Sequence, residues 1–249
     1  MISFFRKIRK MLVEQNKISR YLAYALGEIL LVVIGIFLAV QVNDWNEGRK
    51  TQRIVASNNA ILIENLEADF ELIESVLLKI DSERTQLNQF IERINGPAAN
   101  LDTLLKIRQD ELRGAVSGIR FPNDDAYNTM VLSNEVNLFN NELKKMLFSV
   151  YNWHERIDAT YTREFEKYLE ARKFLLEKYP STNNLYSGPI YESVWRNVDL
   201  NDLTLRFLLV VQRKRVMYGL IYSNLETLKG LTTELIKSLK TMGDHDKSF

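Results

Sequence analysis

Residues 21–42 read YLAYALGEILLVVIGIFLAVQV, an apolar run broken only by Glu28 and Gln41. As a helix it would extend about 33 Å, enough to cross a hydrocarbon core of about 30 Å. The stretch predicts one transmembrane helix over residues 21–42. The flanks predict its orientation. Arg6, Lys7, Arg9, Lys10, Lys17 and Arg20 precede it against a single acid, Glu14, whereas Asp44 and Glu47 offset Arg49, Lys50 and Arg53 behind it. Positive charge resists translocation, so the arm over residues 1–20 is expected to stay in the cytoplasm and the chain from residue 43 to lie across the membrane. Tyr21 and Tyr24 at one edge and Trp45 at the other suit the headgroup region. The run is longer than the apolar part of a cleaved signal, and Ala39-Val40-Gln41 is a poor cleavage site, so an uncleaved signal-anchor is expected.

Beyond the span the pattern turns amphipathic. Ile63, Leu66, Phe70, Ile73, Leu77, Ile80, Leu87, Ile91 and Ile94 recur at steps of three and four, with Arg84 as the one interruption. This spacing predicts a long helix over about 52–95, able to continue from the span and ended by Asn95-Gly96-Pro97. Leu101, Leu104, Leu105, Leu112 and Val116 predict a second helix over 101–116. A break containing Phe121-Pro122 follows, then a short helix to Leu132 capped by Asn123 or Asp124. Residues 133–140 read as a turn or irregular connection. Leu143, Leu147, Val150, Ile157, Tyr161, Tyr168 and Leu175 predict a helix over 141–178, stopped at Tyr179-Pro180. Residues 180–189 read as a loop, and 190–198 as either a short helix or an extended piece. Leu203, Phe207, Val210, Met217, Ile221, Leu228, Leu231 and Leu235 predict a last helix over about 201–242, with 243–249 as a tail. The expected fold is all-α: one transmembrane helix followed by an antiparallel bundle of long amphipathic helices over 43–242.

Composition narrows the function. The net charge is +1, which gives no global pull toward nucleic acid, and none is expected as a partner. The chain has no cysteine, which removes disulfides, thiolate metal sites and a cysteine nucleophile. It lacks a Glu-x-x-His, an H-E-x-x-H, a P-loop and a G-x-S-x-G. No enzymatic role and no cofactor are expected, and no catalytic or metal-binding residue is assigned.

The first segments resemble a known family. Phe4-Phe5-Arg6-Lys7-Ile8-Arg9, then Gly27 to Gly35 (GEILLVVIG) and Gln41 to Glu47 (QVNDWNE), are similar to an uncharacterised family of bacterial single-span membrane proteins, domain of unknown function 6090. Ser133 to Tyr151 is similar to a recurrent stretch of that family, with Asn134 and Glu135 standing where small residues are expected. The resemblance implies an envelope protein of a Gram-negative bacterium; together with the charge bias, this gives the expectation of an inner-membrane protein with its C-terminal domain in the periplasm. It implies no activity and no functional residues. Tyr24 to Ile34 also resembles the start of a mature type IV pilin, where a glutamate stands fifth after a basic leader. Here Ala23 replaces the expected glycine and Arg20-Tyr21-Leu22 precedes it, and no strand-rich second half follows.

The candidate residues lie mostly in the span. Glu28 is a carboxylate about two turns inside an apolar helix, costly if charged and unpaired, and is the candidate intramembrane pairing residue. Its blander reading is a shallow side chain that snorkels or protonates near Arg20. Ala23, Gly27, Gly35 and Ala39 form the candidate helix-packing face, through which a homo-oligomer or a membrane-protein partner could associate within the bilayer; Leu31 interrupts the line. Among the remaining residues, His154 lies on a helix seam and reads as a hydrogen-bonded core histidine, and His245 falls in the tail. Glu64, Glu67, Glu71 and Glu74 read as a solvated face rather than a cation site. Arg213-Lys214-Arg215 reads as an exposed basic run. Tyr151, Trp153, Tyr161 and Tyr168 read as core packing rather than a ligand cleft.

Overall fold

The computed structural model describes residues 18–112, 119–122, 124–180, 188–189, 193 and 197–246, and these contain no strand. The chain divides into two units, Met1–Ala56 and Ser57–Phe249. Helix α1 spans Ile18–Asn95 and contributes to both. The helix α2, Leu101–Lys106, leads into a π-helical turn at Ile107–Glu111. α3 spans Asp125–Leu132, a 3-10 turn follows at Glu135–Leu138, and α4 and α5 span Asn141–Lys178 and Leu200–Asp246. The all-α expectation holds, and the span and the first amphipathic segment form one helix.

The first unit contains the apolar part of α1. None of its most apolar window is buried within the protein, and the mean hydropathy of that window is 2.5. It is the one candidate membrane span among the described residues, by length and composition.

The second unit is a bundle. α1 and α5 run antiparallel: Asn59 Nδ2 donates to the Leu239 carbonyl at 3.0 Å, Lys229 pairs with Glu74 at 2.7 Å, and Lys214 pairs with Glu83 at 2.9 Å. α4 and α5 also run antiparallel, with Lys178 on Asp202 at 2.7 Å and an Arg206 guanidinium N–H on the Phe174 carbonyl at 2.6 Å. α1 and α4 are therefore parallel, and the chain between them must travel back. It does so as an irregular leg, tied to one end by Arg93–Glu111 and to the other by Asn58 Nδ2 donating to Glu135 at 2.9 Å. The result is an up-down-up-down bundle whose second leg is broken. Pro97 and Pro122 explain the interruptions, because proline removes a helix donor.

The core rows come from the expected positions on α4 and α5, save that Tyr161 and Leu231 are half-buried. On α1 the buried row is displaced by one residue in places. Leu62, Asp69 and Phe90 are buried, while Ile63, Phe70, Ile91 and Ile94 are half-buried. The steps of three and four leave the choice between neighbours open, and the structure takes the smaller Asp69 in place of the Phe70 ring.

Other boundaries also move. The helix expected to reach Val116 gives way at Leu112, which is extended at φ −73° and ψ 98°; residues 113–118 lie outside the described set. α5 continues to Asp246, so the expected tail begins later and His245 is helical. Most of 190–198 lies outside the described residues, as does Asn123. Arg108, at the π-turn, is buried and donates to the carbonyls of Tyr179 and Pro180, which satisfies acceptors that a helix end leaves unpaired.

Candidate functional site

Two places carry chemistry. The first is the apolar segment of α1. Gly27, Gly35 and Ala39 are exposed, and a methyl group added at Gly27 or Gly35 would meet nothing within 4 Å. Ala23 is helical in backbone, and its side chain lies outside the described set. Glu28 is half-buried and engaged in an interaction within the chain. Among the described residues around it, Leu26, Ile29, Leu31, Ile36 and Phe37 are each more than 60% exposed.

The second place was not foreseen as a unit. It is a polar cluster inside the bundle, where the broken leg meets α4 and α1. His154 faces inward from α4 because it follows Val150 by four residues and precedes Ile157 by three. Its Nδ1 lies 2.6 Å from Asp124 Oδ1. A carboxylate only accepts, so Nδ1 carries the proton and Nε2 is left as an acceptor. That Nε2 is buried and has no hydrogen-bond partner among the described residues. Asp124 was one of the two expected caps of α3, with Asn123, yet it makes no capping bond there, its carboxylate being engaged by the histidine.

Tyr127, one turn into α3, stacks on Tyr151 of α4 with ring centroids 4.1 Å apart and planes 8° from parallel. Tyr151 also meets the His154 ring edge-on at 5.0 Å. Asp69 completes the group from α1. It is 8% exposed, and burial, followed by the charge of Asp124, pushes its carboxyl up to about 6. Burial lowers His154 below its ordinary 6.5, with the Asp124 hydrogen bond and charge pulling it back. Burial and the acids Asp69 and Asp124 raise the Tyr151 phenol, so it stays protonated. Such an arrangement can bind and release a proton. Among the described residues no set of three or more His, Asp or Glu side chains converges as a cation site.

The remaining expectations divide. His154 is the hydrogen-bonded core histidine its spacing indicated. Glu64, Glu67, Glu71 and Glu74 are exposed, with Glu67 and Glu74 paired to Lys240 and Lys229. Tyr151 and Tyr168 are buried, Trp153 and Tyr161 half-buried. The basic run is corrected: Arg213 and Arg215 are exposed, but Lys214 is 1% exposed and pairs with Glu83 in the core. Asp69, Asp124 and Tyr127 escaped the sequence reading as site residues. The usable signal for Asp69 was its position, three after Leu66 and four before Ile73.

A family model described as a family of unknown function (DUF6090) matches residues 28–173, which includes Glu28 and the whole of this polar cluster. No curated protein and no solved structure matches the chain.

Proposed function

Because the chain belongs to this family of unknown function, DUF6090, we propose from its own physical features that it is a membrane-anchored, non-enzymatic interaction or scaffold protein. The observation that carries this reading is the uncovered apolar helix. Apart from Glu28 and Gln41, residues 25–42 are apolar around the full circumference of α1, and among the described residues the most apolar window of that surface is left unburied. At roughly 25 cal/mol per Å² of apolar surface, leaving it in water is prohibitive, so a bilayer is its partner. Charge bias favours an N-terminal arm in the cytoplasm and the helical unit beyond residue 57 on the other side. The family resemblance favours the inner membrane of a bacterial envelope and a periplasmic bundle. The bundle, with three long helices and an exposed charged surface, would present the binding face. Gly27, Gly35 and Ala39 allow a second helix, from another copy or a membrane-protein partner, to approach closely within the bilayer.

A second reading is favoured by Glu28, an ionisable group inside the apolar segment: a subunit of an ion-coupled membrane complex. In-cell crosslinking and pull-down of the full-length protein, in parallel with Glu28→Gln, tests both. Specific partners recovered with both forms, from membranes that resist alkaline extraction, are the expected result. Extraction of the protein into the soluble fraction would overturn the anchor. Loss of partners in the variant alone, with insertion unchanged, would move the function to Glu28.

A further inference from the structure

Past Val42, α1 continues without a break, and its next turns carry a cationic face. Trp45, Arg49 and Arg53 follow one another at steps of four and share one side of the helix, with Lys50 at its edge. Asp44 and Glu47 fall on the opposite side. Trp45, Arg49, Lys50 and Arg53 are all exposed. The Arg49 guanidinium lies over the Trp45 ring, 4.9 Å from its centroid. Side chains on a helix lean toward its N-terminus, so both arginines reach back along α1 in the direction of the apolar segment.

The spacing leaves these cations without an acid. The positions three and four away from Arg49 hold Asn46, Trp45, Gln52 and Arg53, and those from Arg53 hold Lys50, Arg49, Ala56 and Ser57. Among the described residues neither arginine forms an ion pair, whereas Lys173 and Glu177 do pair at a separation of four on α4. Like charges four apart oppose each other on a helix, so Arg49 and Arg53 together favour an external anion between them. A guanidinium presents a planar fork that matches two oxygens of a phosphate.

We infer that Trp45, Arg49 and Arg53 bind the headgroup phosphate of an anionic phospholipid in the leaflet where the span ends. The inference rests on the proposed membrane anchor and names the lipid chemistry that the anchor selects. Continuity with the span decides the source of the phosphate. The headgroup layer is about 5–8 Å deep on each side of the hydrocarbon core. Trp45 stands about 4–5 Å beyond Val42 along the helix and Arg49 about 10 Å, from where its backward-leaning side chain returns to that layer. The Trp45 ring supplies an amphipathic surface at the same level, and its contact with Arg49 holds the guanidinium beside the lipid. Asp44 and Glu47 repel anionic headgroups from the other side, so one face of α1 recruits the lipid.

Fluorescence quenching in vesicles tests it. The full chain carrying Trp153→Phe and Trp195→Phe keeps Trp45 as its one tryptophan. It is reconstituted into equal mixtures of phosphatidylglycerol and phosphatidylcholine, with bromine on the acyl chains of one lipid at a time. Quenching reports the lipids that touch Trp45, so the cations of residues 1–20, which precede the span, do not enter it. Phosphatidylglycerol is expected to be preferred about fivefold, the worth of one cation near an anionic surface. In Arg49→Gln/Arg53→Gln the preference should fall to about one, with quenching by both lipids retained. Equal quenching by the two lipids in the parent chain, or a preference that survives in the variant, would overturn the site and leave the anchor standing. No quenching by either lipid would remove the anchor and the site with it.

Discussion

Lys214 carries its charge into the bundle core. Its ammonium reaches Glu83 at 2.9 Å and lies 5.5 Å from the Tyr218 ring centroid. A buried charge whose partner is deleted keeps its desolvation cost, so Glu83→Ala is expected to cost about 3 kcal/mol in denaturant unfolding. Replacing both residues by methionine should recover most of that loss, because packed apolar side chains dispense with the penalty. Asp69 supplies a second residue-scale prediction. Its folded carboxyl holds a proton up to about pH 6 and its unfolded one only to about 3.8. The folded state therefore binds more protons in that interval, so this group's stabilisation is complete below pH 3.8 and is lost as pH rises through 6. His154 has the opposite sign, since its lowered value makes acid below 6.5 destabilising. Asp69→Asn removes the first effect and leaves the second. Calorimetry should find its Tm about 3 °C above wild type at pH 7.5, for about 1 kcal/mol after solvent screening, with the gap closing near pH 4. Neither residue was legible by type alone. A run of three cations reads as surface, and beside Phe70 an aspartate reads as the outward neighbour. Only the spacing Val210–Lys214–Met217 and Leu66–Asp69–Ile73 places both in the core rows.

At the scale of elements, long helices were legible and the broken leg only partly. α4 and α5 keep an apolar residue at every third or fourth position over many turns, which leaves one face to bury. The leg between residues 96 and 140 has too few repeats for that averaging. Gly96, Pro97 and Pro122 announce its interruptions, but nothing in IRQDE announces a π-helical turn, which depends on where Arg108 must reach. Its exit into α4 is better marked. Asn134 adopts φ 62°, a conformation asparagine tolerates, and Asn140 caps α4 by accepting the Leu143 amide at 2.9 Å. Asn140→Ala should destabilise the bundle by about 1 kcal/mol in chemical denaturation, and Asn140→Asp should restore it. Asp124 looks like a cap of the same kind, yet its carboxylate goes to His154. Sequence cannot separate the two uses, because the competing partner lies 30 residues away.

For the whole molecule, the division into two units follows from one change of pattern along a single helix. Over residues 25–42 α1 is apolar apart from Glu28 and Gln41, and its most apolar window is unburied among the described residues; beyond Ser57 one face alone is apolar and the bundle buries it. Hydropathy makes that change legible, but the proposed side of the membrane rests only on the flanking charges. The proposed topology therefore has a sharp test. A C-terminal fusion to a phosphatase that is active only outside the cytoplasm should be active in the wild type. Replacing Arg6, Lys7, Arg9 and Lys10 by glutamine, with Asp44 and Glu47 changed to lysine, reverses the charge bias across residues 21–42. Activity should then fall at least several-fold, because cationic flanks resist translocation on whichever side they stand. Unchanged activity in the reversed chain would mean that the folded second unit, rather than the flanks, decides which side it occupies. The sequence-based argument for orientation would then fail, while the proposed anchor would be left untouched by this test.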